Sequence, residues 1–314
     1  MQLKWVGAII VGLVFVTSMV CIGGVILLGV TQSDGPSGDH VAVVKVHGSI
    51  MTRDQGGLFA ADGASAERLV AELREIREDG SAQAVLLDVD SPGGTALASE
   101  QIHAEILRVQ DAGIPVVAYF GTSATSGAYY VSAPAEVIVA NAATVTGSIG
   151  VIAQVPNLEE LYEKIGIEMQ VIAVGEFKDM MQPSRSLTEE ERQIIVDIQM
   201  ETYDAFVAVI ANGRDMTEDE VRELADGRVY SGLQALDNGL VDEIGDYSYA
   251  VSVAGELAGL GDDPPLRDYS PSAPGFWDIF FGVTGRDIQI NLPGSFDLPI
   301  DPRDVHLEIR TEAQ

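Results

Sequence analysis

Four short apolar runs, Val41 to Val46 (VAVVKV), Ala84 to Val89, Ile114 to Phe120 (IPVVAYF) and Glu136 to Ala140 (EVIVA), are separated by helix-patterned stretches. Runs of this kind, apolar at successive positions, suit strands covered on both faces. The stretch between the first two, Ala64 to Glu78, brings Leu69, Leu73 and Ile76 onto one helical face, and Thr95 to Gln110 supplies a second helix. The alternation predicts an α/β fold of stacked sheets flanked by helices. Further on, Leu187 to Asn212 reads as a long amphipathic helix with a capping box at Thr188 and Glu191, and Arg214 to Gly245 as a helical, turn-rich closing segment.

The ends have a different character. Trp5 to Val30 is an uncharged, mostly apolar run, long enough to cross ~30 Å of hydrocarbon. It reads as one transmembrane helix at the N-terminus, a retained signal anchor over residues 1–30 that holds the lipid membrane through residues 5–30. Lys4 before it and Asp34 and Asp39 after it put the N-terminus in the cytoplasm and the remainder outside the cell membrane. Residues 31–40 read as a flexible tether, 41–260 as the folded domain, and 261–314, with seven prolines, as an appended C-terminal extension. The cluster from Gly275 to Val283 concentrates aromatic residues.

Charge narrows the partners. With 48 acidic against 18 basic residues the formal charge is −30, which argues against nucleic acid and against anionic lipid surfaces. Such a surface suits a halophilic source, because the Debye length shrinks to ~3 Å in 1 M salt and neighbouring carboxylates repel less. The lone cysteine, Cys21, excludes an intrachain disulfide framework and a cysteine-based zinc site.

Candidate chemistry starts at Gly121 to Tyr130 (GTSATSGAYY), which places Ser126 between a strand and a helix start. The free N–H groups there, beginning with Gly127, can stabilise an oxyanion. Read alone, a serine at such a position is more often only a helix N-cap. Asp90 to Gly94 (DSPGG) is a second strand-to-helix turn whose glycines allow close backbone approach, or simply an ordinary Pro-Gly turn. A base is needed for Ser126. His40 lies in the tether, His47 beside a glycine turn, His103 on a helix and His306 in the extension, so none has a convincing catalytic context. Lys178, in GEFKDM after the β-rich run Gln170 to Val174, is a better candidate among only four lysines. A lysine can act as a base once neutral, which burial brings about by lowering its pKa. Its other reading is a solvated surface lysine.

Taken together, SPGG (Ser91 to Gly94), TSGAYY (Thr125 to Tyr130), TGSIGV (Thr146 to Val151) and GEFKDM (Gly175 to Met180) resemble, in order, the motifs of the signal peptide peptidase A family, peptidase family S49. Gly227 to Gly245 is similar to that family's closing segment, and the separation 178 − 126 = 52 matches its short, single-repeat members. The resemblance implies a ClpP/crotonase-like fold of stacked ββα units and a Ser-Lys serine endopeptidase of haloarchaeal type. Ser126 is then the nucleophile and Lys178 the general base, Gly94 and Gly127 donate to the oxyanion, and Ser148 orients the lysine. No metal or other cofactor is implied. The substrates implied are remnant signal peptides and other unfolded apolar segments, met by a homo-oligomeric ring. The competing readings are a membrane protease of the NfeD type, which cuts one membrane-protein tail, a crotonase-like acyl-CoA enzyme, which the topology and the lack of a basic patch oppose, and a silent peptide-binding scaffold. Asp90 stands where many relatives have Asn.

Overall fold

A computed structural model describes residues 38–53 and 63–270. The expected anchor and most of the tether lie outside the described residues, as do the aromatic cluster and His306. Among the described residues, no helix is long and apolar enough to cross a membrane.

The chain opens with β1 (His40–His47), the two-residue β2 (Ile50–Met51) and β3 (Ala64–Ser65), then α1 (Ala66–Asp79) and β4 (Ala82–Ser91). Ser65 caps α1, accepting from the Arg68 N–H, and Gly80 ends it in the left-handed conformation. Next come α2 (Ala96–Asp111), β5 (Val116–Thr125), the short α3 (Gly127–Ser132), β6 (Val137–Ala140) and β7 (Val145–Gly147). The remainder comprises α4 (Glu159–Ile165), α5 (Glu189–Gly213), α6 (Glu218–Leu224), β8 (Val229–Ser231), α7 (Gly232–Asp237), β9 (Glu243–Ile244), α8 (Tyr247–Leu257) and β10 (Leu266–Asp268). The alternation is that of a mixed α/β fold.

One sheet runs β10-β1-β4-β5-β6-β9, every pair parallel. Its central strands are the apolar runs of the sequence. Along β4, Val85, Leu87 and Val89 join the larger core, which also takes in α1, α2 and α3, while Ala84 and Leu86 join a smaller one with α8. Burial on both faces explains why these strands lack polar alternation. The sheet forks at β5: Val117–Phe120 pair with β6, but Ser123–Thr125 pair with β7, which is antiparallel to β8. This fork, with the separate β2–β3 pair, stands where the sequence suggested stacked sheets.

Three expectations change. The sheet runs past the boundary drawn at 260/261: Pro264 and Pro265 preclude a helix, but the Pro265 carbonyl accepts from the Val41 N–H (2.9 Å), and β10 then pairs with β1. His40 is not in the tether but opens β1, fully buried and stacked on Tyr269. Gln170 to Val174 forms no strand, since no neighbouring strand offers it a ladder; these residues lie exposed.

Candidate active site

Ser126 occupies the one-residue junction between β5 and α3 with φ 53° and ψ −122°. A non-glycine residue holds such a conformation only when its surroundings over-determine it. Here they do: the Ser126 N–H donates to Gly147 O (2.8 Å), its carbonyl accepts from Tyr130 N (3.0 Å), and Thr125 pairs with Gly147 in the β5–β7 ladder. Under α3, buried Tyr129 donates to Leu240 O (2.7 Å) and packs edge-on against Phe120. The hydroxyl of Ser126 makes no capping bond to α3. That separates it from an ordinary N-cap serine, the other reading the sequence allowed.

The DSPGG turn is locked against this junction. Buried Ser91 accepts from the Gly93 N–H (3.1 Å), Ile50 N donates to Gly93 O and Thr95 N to Ile50 O (both 2.9 Å). Gly93, at φ +91°, lies so close behind the serine that a Cβ there would fall 2.7 Å from Gly127 N and 2.9 Å from Ser126 Cβ. A Cβ on Gly127 would in turn lie 3.2 Å from Gly94 N. Gly94 N–H makes no backbone hydrogen bond among the described residues, and Gly127, as first residue of α3, has no intrahelical acceptor. Asp90, the departure noted in the sequence, accepts the Ser123 N–H (3.0 Å), a bond that an Asn oxygen would make equally well. It ties the two loops where the β4–β5 register shifts.

Ser148 follows Gly147 directly, so the same ladder carries it to the serine junction. It too has positive φ (51°), and its N–H donates to Arg228 O (2.8 Å). The fold therefore gathers Ser126, Gly94, Gly127 and Ser148. It does not join Lys178 to them: the side chain is exposed and makes no hydrogen bond or ion pair among the described residues. The burial expected for a neutral lysine is absent in the isolated chain. Lys178 sits in a turn, its N–H donating to Gly175 O (3.2 Å). Nor does a histidine among the described residues replace it. His47 pairs with Asp88 (3.1 Å), whose hydrogen bond raises its pKa; His103 packs edge-on against Tyr130, and burial lowers its pKa.

Sequence reasoning missed Arg185, whose guanidinium bonds both Asp179 and Glu191. The only signal was a carboxylate six positions away on either side. Glu191 also completes the expected capping box of α5 with Thr188. Arg185, then the Thr188 N–H, holds the Glu191 carboxyl down to about 2, against an ordinary 4.5. A depressed carboxylate contributes stability that is full above its unfolded pKa and fades as pH falls through the folded one. The melting temperatures of the parent and Glu191→Gln should therefore differ by a constant amount above about pH 5, converge as pH falls from about 4.5, and meet only below about pH 2, as measured by calorimetry in concentrated salt.

A strained serine on a strand-to-helix junction, packed against a second glycine loop, is the arrangement of a serine hydrolase. The model of peptidase family S49 matches residues 108–261. A protein of Enterococcus faecium, provisionally named signal peptide peptidase SppA, is 40% identical over 252 residues, covering 80% of this chain and 73% of its own. The chloroplastic serine protease SPPA of Arabidopsis thaliana is 36% identical over 257 residues, 81% of this chain but 38% of that relative. Among solved structures, a point mutant of ClpP1 from Listeria monocytogenes has a TM-score of 0.45 at 14% identity, over 67% of this chain and 94% of its own. The chain belongs to peptidase family S49 and is a serine protease of that family.

Proposed function

We propose that this protease is a membrane-anchored Ser-Lys endopeptidase with a ClpP/crotonase-like core, of the short, single-repeat and haloarchaeal type. It degrades remnant signal peptides and other unfolded apolar peptides at the outer face of the cell membrane. The observation that carries the reading is Ser126 itself: a positive-φ serine with an uncapped hydroxyl, packed against Gly93 of the second glycine loop. Ser126 attacks the peptide carbonyl and its proton passes to neutral Lys178. The Gly94 and Gly127 amides receive the oxyanion, and Ser148 orients the lysine amine. Protonated Lys178 gives its proton to the amine that departs as the tetrahedral intermediate collapses, and the acyl-enzyme left behind is hydrolysed by water that the neutral Lys178 activates.

The apolar run Trp5 to Val30 supports the anchor, and its charge flanks support an external domain. Ile152, Ile172 and Val174 are 81%, 96% and 94% exposed, and Val196, Ile198 and Met200 are exposed on α5. Apolar groups so open to water, in a chain of charge −30, support burial against further copies in a ring. The acidic surface supports a halophilic source, and residues beyond 270 serve as an extension.

The test is covalent labelling by a fluorophosphonate. The expected result is one adduct, located by mass spectrometry on the peptide containing Ser126 and lost when the protein is unfolded first. Labelling of another serine, or none in a preparation that cleaves casein, would overturn the assignment.

A further inference from the structure

Lys178 stands on the least supported stretch of the fold. Between β7 and α5 the described chain forms no strand, and its one helix, α4, has no buried residue. Yet a general base must be held within hydrogen-bond reach of its nucleophile. Something has to fix the turn that carries it.

Arg185 does so geometrically. Its guanidinium has five N–H donors, and each has an acceptor. Nε and Nη2 grip the two oxygens of Asp179 (3.0 and 2.9 Å), Nη1 and Nη2 grip those of Glu191 (2.8 and 2.5 Å), and Nη1 also donates to Ser186 O (3.0 Å). The two carboxylates belong to different things. Asp179 is the residue next to Lys178; Glu191 is nearly fully buried in the first turn of the 25-residue α5, where it also accepts the Thr188 N–H (2.9 Å). The lysine turn is thus bolted to the start of a long helix through one planar fork. A lysine in its place would offer three donors from a single nitrogen, without the planar fork that grips both carboxylates bidentately. Partial burial also protects the fork from the salt screening that would remove an exposed pair.

We propose that Arg185 is the positioning residue for the catalytic lysine, holding Lys178 in register through Asp179. This rests on Lys178 being the base, as proposed above. Its consequence is that loosening the fork displaces the base without touching the serine junction.

The test uses the full chain in detergent, with fluorogenic casein as substrate, and compares Arg185→Ala, Arg185→Lys, Asp179→Asn and Lys178→Ala. Arg185→Ala is expected to lower kcat about 10- to 100-fold with KM changed less than about 2-fold, and Arg185→Lys to fall between it and the parent. The rising limb of the kcat–pH profile should move to higher pH, towards the ordinary lysine value of ~10.4. Should Arg185→Ala fail to fold, Asp179→Asn decides, since it leaves the helix cap intact; a loss of kcat at an unchanged melting temperature supports the proposal. Parent-like kcat and pH profile in Asp179→Asn, or in a folded Arg185→Ala, overturn it. So does a fall in melting temperature with an unmoved pH profile, which would mark a purely structural fork. If Lys178→Ala itself keeps parental activity, the dyad reading has failed and the proposal with it; an inactive Lys178→Ala beside a parent-like Arg185→Ala sinks the proposal alone.

Discussion

Ser126→Ala and Lys178→Ala are each expected to lower kcat/KM for an unfolded protein substrate by about 10³- to 10⁶-fold, with circular dichroism unchanged. The magnitude follows from residues that act as a unit. If Ser126 is the nucleophile and Lys178 its base, as proposed, removing either forfeits nearly the whole covalent route, so the double variant should be little worse than either single one. Lys178→Arg should not rescue, because a guanidinium with a pKa above ~12 does not become neutral to accept the serine proton. Additive losses in the double variant, or appreciable activity in Lys178→Arg, would mean that the two side chains do not share a proton. Ser126→Ala should also be neutral or mildly favourable to stability, since its hydroxyl makes no capping bond.

The second large effect concerns two glycines whose missing side chains shape the same junction. A Cβ on Gly94 would drive into the carbonyl of Ile50, a backbone group fixed by the Thr95 N–H and by the Ile50–Gly94 bridge. No flexible side chain can swing aside. Gly94→Ala should therefore cost about 3 kcal/mol or more, lowering the melting temperature by roughly 10 °C and abolishing activity with it. Gly127→Ala differs in kind, because its Cβ would meet the Ser99 hydroxyl, which donates to Thr95 O (3.2 Å). Adding Ser99→Ala should recover most of the lost stability while leaving activity low, since the new Cβ still crowds Gly94 N at 3.2 Å. Thermal melts paired with kcat/KM separate the two; recovery of both together would mean that Gly94 N takes no part in the reaction.

The central strands were legible because burial on both faces leaves a continuous apolar run, and a run of that kind has few other uses. The serine and glycine loops were legible because they are short and local. Ser126 and Gly127 are chain neighbours, and Ser148 reaches them through one parallel ladder. What could not be read depends on contacts between distant segments. The strand 266–268 follows two prolines that argue against regular structure, yet the Pro265 carbonyl still serves the neighbouring strand. Gln170 to Val174 has the composition of a strand but no partner edge. Arg185 owes its place to Asp179 and Glu191 meeting around it, and a charge pattern alone does not predict such a meeting. Lys178 is the instructive case: its motif is local, while its proximity to Ser126 is not supplied by the isolated chain.

The edge pair β1–β10 has a mechanical consequence. The two strands run parallel, with Val41 beside Leu266 and Val43 beside Asp268, so the folded unit is entered at one end of this ladder and left at the other. Tension between whatever precedes residue 38 and whatever follows residue 270 pulls along the strands, loading their hydrogen bonds together in shear instead of peeling them singly. The unit is therefore clasped where the chain enters and leaves it, and a tug on either end is borne by this edge before it reaches the serine junction.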